Sequence, residues 1–210
     1  MTTHPHTTTA TFKGTNGADT IALTTESTRV KALDGANTIS GTTGNNYITA
    51  GRGADTITVT TGHNTIDAGS GVNTITATTG NNLITTGDSA DTISVTTGNN
   101  TIHAGGGANT ITATTGNNFI TSSDGADTIT TSGSTGGTNT VHAGNGANTV
   151  TTGAGNDIVT SGNGADTITT GAGDDTITVK GGVDTIAAGA GNDTLIADLS
   201  LARDDISLNA

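Results

Sequence analysis

The side chains with the strongest chemical character in this chain recur at a fixed interval. Of the 18 acidic residues only Glu26 is Glu, and every other one is Asp. From residue 144 onward the sequence reads GNGANTVTT, GAGNDIVTS, GNGADTITT, GAGDDTITV, KGGVDTIAA and GAGNDTLIA, with Asp or Asn fifth and a branched aliphatic residue seventh in each nonapeptide. Short carboxylates set among glycines favour turns and are oxygen ligands for hard cations. A dication would also relieve the repulsion among stacked carboxylates in a chain of net charge −12. The absence of Cys excludes disulfides, thiolate zinc sites and Cys nucleophiles. The six basic residues are scattered, so the Lys/Arg stripe needed for nucleic acid or anionic lipid is missing and neither partner is expected. No apolar run approaches a membrane span, so no membrane insertion is expected. No nucleophile and base stand out from the repeated background, so the chain is not expected to be an enzyme.

Very little core is available to position these carboxylates: the chain has no Trp, one Tyr, two Phe and 33 Gly. The order of the residues compensates. The nonapeptide frame runs back to residue 15 and is interrupted once, by SGSTGGTNTVHA at 132–143, read as an exposed loop bulge. These repeats resemble the RTX (repeats-in-toxin) family, whose nonapeptide GGxGxDxUx is most complete here as GNGAD, GAGND and GAGDD followed by T-I-T or T-L-I. The resemblance implies an all-β fold, a right-handed parallel β-roll or β-solenoid. Its Gly-rich turns adopt positive φ, and the next three residues form a short strand with one inward aliphatic side chain. Two nonapeptides make a coil, so residues 15–197 give about ten 18-residue coils and a rod about 48 Å long at the usual strand spacing. The organisation expected is an extended segment at 1–14, the roll at 15–197, and at 198–210 a C-terminal cap where the family's type I secretion signal would lie.

Alternate repeats stack on the same edge of such a rod. On the first edge the turn residues are Asp19, Asn37, Asp55, Asn73, Asp91, Asn109, Asp127, Asn148, Asp166 and Asp184; on the second they are Asn46, Asn64, Asn82, Asn100, Asn118 and Asn139, then Asp157, Asp175 and Asp193. In the family, calcium sits between successive turns of one edge, held by turn carbonyls and these Asp side chains. The resemblance therefore implies calcium as cofactor, with ligands at Asp157, Asp175, Asp193, Asp166 and Asp184. Asp127, Asp91, Asp55 and Asp19 are weaker candidates, because each is followed by Asn. The early second edge is expected to form an amide ladder without metal.

The outward faces carry two further patterns. After the first-edge turns, Thr56 and Thr58, Thr74 and Thr76, Thr92, and Thr110 and Thr112 make a hydroxyl lattice that resembles the T-x-T faces of ice-binding solenoids. On the opposite sheet Tyr47, Leu83, Phe119 and Ile158 recur every second coil, a rhythm that one-coil sterics does not explain and that suits interlocking with a second rod. The exposed row Ala18, Ala36, Ala54 and Val72, continued in later turns, permits close lateral approach. His63, His103 and His142 are read as surface residues in different registers or far apart, not as zinc ligands. The leading expectation is a secreted calcium-binding structural protein whose partner is itself, forming an extracellular fibre or surface layer. The alternative is an ice-binding protein that uses the Thr face.

Overall fold

The computed structural model describes residues 10–24, 27–132, 137–197 and 205–206. Its strands fall into two parallel sheets of eleven strands each, and successive strands alternate between the sheets. Each strand therefore pairs with the one a full coil away, as in Thr56↔Thr74 on one sheet and Tyr47↔Thr65 on the other. The result is an all-β parallel solenoid of about ten 18-residue turns, with no helix among the described residues. The resemblance to a β-roll thus holds at the level of architecture.

The T-I-T pattern dictates this arrangement. Alternate residues of a strand point to opposite faces, so Thr turns outward and Ile inward, and β-branched side chains suit the half-buried pleat. Ile39, Ile57, Ile75, Ile93 and Ile111 stack fully buried on one sheet, opposite Ile48, Ile66, Ile84 and Ile102 on the other. The expectation of one inward side chain per repeat needs correction. The strands run to four residues or more in most repeats, and a second inward position is filled by small side chains such as Val59, Ala77 and Val95, or Ala50, Ala68 and Ala104. Each short coil thus encloses both large and small side chains. The turns are equally constrained. Gly173 has φ 137°, and a Cβ there would run into the carbonyl of Gly155 one coil back.

A polar spine along each edge locks the coils in register. The N–H of each turn Asn or Asp donates to the Oδ1 of its counterpart one coil on. On the first edge this runs from Asp19 to Asn37 at 3.1 Å through to Asp166 and Asp184 at 2.9 Å. On the second it runs from Thr28 and Asn46 at 3.0 Å to Asp175 and Asp193 at 3.0 Å. The extra residues near 132–143 leave it intact: Asn118 N–H still reaches Asn139 Oδ1, 21 positions on, at 3.1 Å. The frame simply resumes, while residues 133–136 lie outside the described residues.

The spine sets a stability expectation. Asn100 accepts from both the N–H and the Nδ2 of Asn82, at 2.9 and 3.0 Å, in a buried position. Asn100→Ala should lower the urea midpoint, at about 1–3 kcal/mol for each buried group left unpaired. Asn99→Ala, which removes the exposed acceptor of the Asn117 N–H, should cost less, because water replaces the lost partner. Equal losses would place the stability elsewhere than in the buried spine.

Candidate metal sites along the turn edges

Asn and Asp make the same spine bond through Oδ1 and differ only in their second branch. In an Asn coil that branch is a donor. Asn148 Nδ2 donates to the carbonyls of Gly146 and Gly144 at 3.0 and 3.3 Å, and Asn73 Nδ2 to those of Gly71 and Gly69 at 2.8 and 3.4 Å. On the second edge the amide also bonds the next rung, Asn64 Nδ2 reaching Asn82 Oδ1 at 3.0 Å. The amide ladder expected there is present, and its turns are saturated.

Where Asp replaces Asn, an acceptor takes the amide's place. Asp55, Asp91, Asp127, Asp157 and Asp175 are each about 1% exposed, and their Oδ2 atoms have no hydrogen-bond partner. A buried carboxylate oxygen among turn carbonyls offers only lone pairs, and such a donor-free cage fits a hard, oxygen-seeking cation. Among the described residues no three carboxylates or histidines converge on a point. An ion would therefore be held by one or two carboxylates together with backbone carbonyls.

The expected ligands are not equivalent. Asp157, Asp175 and Asp193 form consecutive rungs, with Asp157 N–H to Asp175 Oδ1 at 2.7 Å and Asp175 N–H to Asp193 Oδ1 at 3.0 Å, so no amide intervenes. Asp166 and Asp184 form the matching pair on the first edge, at 2.9 Å. Asp166 differs in that Ser161 Oγ donates to its Oδ2 at 2.6 Å. Asp55, Asp91 and Asp127 are each flanked by Asn rungs that carry their own donors. Asp19 sits at the rod's end, only half-buried, and accepts the N–H of Thr15 at 2.7 Å, so its carboxylate closes its own turn.

Burial acts on isolated and consecutive Asp turns alike. Burial pushes the carboxyls of Asp55, Asp91, Asp127, Asp166 and Asp175 above their ordinary value of 3.8, and the spine N–H bonds pull back only in part. At Asp175 the neighbouring charges of Asp157 and Asp193 raise it further. In the folded chain these groups favour either a proton or a counter-ion.

Both outward patterns lie in register. Thr56, Thr74, Thr92 and Thr110 form one row, with Thr58, Thr76, Ser94 and Thr112 beside them. On the other sheet Tyr47, Leu83, Phe119 and Ile158 share one column and are 45%, 41%, 38% and 42% exposed. The three histidines lie in two places. His103 and His142 share a column and both pack edge-on against Phe119, at 6.1 and 5.6 Å between ring centroids. His63 lies apart, its Nδ1 accepting the N–H of Asn81 at 2.9 Å in an outer, exposed ladder on the second edge. Sequence reasoning also missed the second inward column and its hydroxyls, Thr86, Ser122, Thr152, Ser161 and Thr170. The available signal was the residue five places before each turn Asp.

A family model for the RTX calcium-binding nonapeptide repeat matches residues 32–66, 67–102, 103–133, 134–168 and 160–195. No curated protein and no solved structure matches the chain.

The site geometry makes two expectations. Replacing Asp157 and Asp175 together by Asn extends the amide ladder, so calcium uptake measured by calorimetry should fall while the melting temperature in chelator rises. Unchanged calcium uptake would move the ions elsewhere. The raised carboxyls fix the sign of the pH effect: the metal-free rod is favoured below the unfolded carboxyl value and loses that stability as pH rises through the higher folded values. Melting in chelator, followed by circular dichroism, should therefore occur at higher temperature near the ordinary carboxyl value of 3.8 than at neutral pH.

Proposed function

Because the chain belongs to the RTX calcium-binding nonapeptide-repeat family, we propose that it is a secreted calcium-binding structural rod that assembles with copies of itself into an extracellular fibre or surface layer. Repeats of this family bind calcium and are typical of secreted proteins, and β-roll repeats are typically structural. In the C-terminal coils, Asp157, Asp175 and Asp193, with Asp166 and Asp184, would hold the ion through carboxylate and turn-carbonyl oxygens. Bound calcium would supply the positive charge that these carboxylate-bearing turns lack. The residues themselves hold adjacent coils in register and keep water from the spine. Type I secretion suits such a chain, since low calcium inside the cell leaves the Asp coils unsatisfied and external calcium closes them.

The observation that carries the assembly reading is the two-coil rhythm of the apolar column. Tyr47, Leu83, Phe119 and Ile158 alternate with Thr65, Thr101 and Thr140 in one register. Knobs about 9.6 Å apart, twice the strand spacing, leave gaps of matching size for the knobs of a second copy. The exposed Ala and Val stripe of the first-edge turns offers a second close-contact line. Calcium would also reduce the repulsion between rods of net charge −12.

One observation favours ice as a second reading. The outward Thr row extends in unbroken register from Thr20 through Thr38, Thr56 and onward to Thr185, a longer and more regular array than strand propensity alone requires.

Electron microscopy and sedimentation in calcium separate these readings. Ordered filaments or sheets are expected from the parent chain, and isolated rods from Leu83→Lys combined with Phe119→Lys; identical assembly of the two would remove this face as the interface. Ice binding instead requires thermal hysteresis that Thr76→Tyr abolishes. An ice activity indifferent to that substitution would exclude the Thr face.

A further inference from the structure

Among the described turns, an inward hydroxyl five residues before the turn residue occurs only where that residue is Asp. On the first edge Ala68, Ala104 and Ala143 precede Asn73, Asn109 and Asn148, whereas Thr86, Ser122 and Ser161 precede Asp91, Asp127 and Asp166. Second-edge turns change from Asn to Asp once, and the column changes with them: Val59, Ala77, Val95 and Ala113 precede Asn, while Thr152 and Thr170 precede Asp157 and Asp175. The pattern covers Asp91, Asp127, Asp157, Asp166 and Asp175 on both edges, and not Asp19, Asp55, Asp184 or Asp193, which follow Gly14, Ala50, Val179 and Ala188. These hydroxyls are buried in an otherwise aliphatic column, so strand propensity and solvation do not explain them.

The geometry supplies a reason. The hydroxyl and the carboxyl stand at the two ends of one six-residue turn and face each other inside the rod. The hydroxyl of Ser161 reaches its carboxyl directly, and those of Thr86, Ser122 and Thr170 stand near the carboxyls of Asp91, Asp127 and Asp175. Two hydroxyl orientations occur. Ser161 donates to Asp166 Oδ2 at 2.6 Å. Thr86, Ser122, Thr152 and Thr170 instead donate to the carbonyls of Ala104, Ala143, Thr170 and Ala188 one coil on, at 2.7–2.9 Å. In that second orientation the carboxylate Oδ2 is left without a donor.

We infer that these inward Ser and Thr side chains are positioning residues for the carboxylates that hold calcium, and that they mark which Asp turns bind it tightly. This rests on the calcium reading above. The hydroxyl has two acceptors to choose between, the buried carboxylate as at Ser161 and the carbonyl one coil on as at Thr170, and so can yield the carboxylate to an ion without being left unpaired. Asp91 and Asp127 thereby become stronger sites than Asp55, whose turn opens on Ala50, although all three have the same Asn neighbours.

The full chain titrated with calcium, by calorimetry, tests this, together with melts in calcium and in chelator. Thr152→Val combined with Thr170→Val should weaken calcium binding about tenfold, the scale of losses at groups that orient metal ligands, with a smaller change in the chelator melt. Thr131→Val is the matched control: Thr131 is buried in the same column as Ala113, its hydroxyl has no partner, and its turn ends in Asn139. It should leave calcium binding unchanged. Should the Thr→Val variants fold poorly, Ala50→Ser beside Asp55 should tighten binding, and Ala68→Ser beside Asn73 should not. The inference is overturned by parent-like affinity in the double variant, by an equal loss in Thr131→Val, or by Ala50→Ser and Ala68→Ser behaving alike. If the parent chain itself takes up no calcium, the calcium reading fails and this inference with it; if the parent binds and the variants are indifferent, only the inference fails.

Discussion

Everything in this rod depends on one requirement: the N–H at the end of each turn points along the rod axis, inside the protein, and must find an acceptor one coil away. An unpaired buried N–H costs about 1–3 kcal/mol, and the requirement recurs in every coil. A side-chain oxygen on a single-carbon arm meets it, which is why the position reads Asn or Asp throughout both edges. Strand pairing, the Ile columns and the stacked glycines all follow the register that this bond sets. Gly173, for example, can lie against the Gly155 carbonyl only because the spine holds the two turns directly above one another.

Because Oδ1 is committed to the spine, the second branch of the same side chain is the one free choice in each turn. An amide there closes the turn by itself, donating to carbonyls as Asn148 does to Gly146. A carboxylate leaves an oxygen with no donor, as at Asp157 and Asp175. One atom thus decides whether a coil is complete alone or needs an ion. The thin core sharpens this dependence. Fully buried side chains are mainly Ile, Val and Ala, and such small coils bury too little apolar surface to absorb many unsatisfied carboxylates.

The architecture was legible in the sequence because a nonapeptide with aliphatic residues at one place and Asn or Asp at another leaves few ways to stack. The two edges, the change near residue 150 and the in-register Thr and apolar columns could be read by counting alone. The inward hydroxyls could not. Thr is outward at most positions of this chain, so Thr86, Thr152 and Thr170 look like more of the same lattice until the strand is seen to extend past its central Ile. The turn Asp residues were legible as ligands but not as spine members, since the spacing does not reveal that Oδ1 is already engaged. The packing of His103 and His142 against Phe119 was not legible, because spacing places side chains in neighbouring columns without giving the tilt of their rings.

A mixed spine has consequences that neither a pure Asn nor a pure Asp spine would have. In a solenoid, stability is close to a sum of coil terms and nearest-neighbour interfaces. Interfaces built on Asn46 to Asn118 are complete on the second edge without an ion, whereas those built on Asp157, Asp175 and Asp193 are conditional on one. An all-Asp rod would demand ions at every interface before any coil could form, and an all-Asn rod would fold wherever it was made. The amides come first and the carboxylates last on the second edge, while Asp55, Asp91 and Asp127 on the first edge each keep an oxygen without a donor. The demand for an ion therefore rises along the rod: only the first edge carries Asp turns as far as Asp127, and both edges carry them from Asp157 onward.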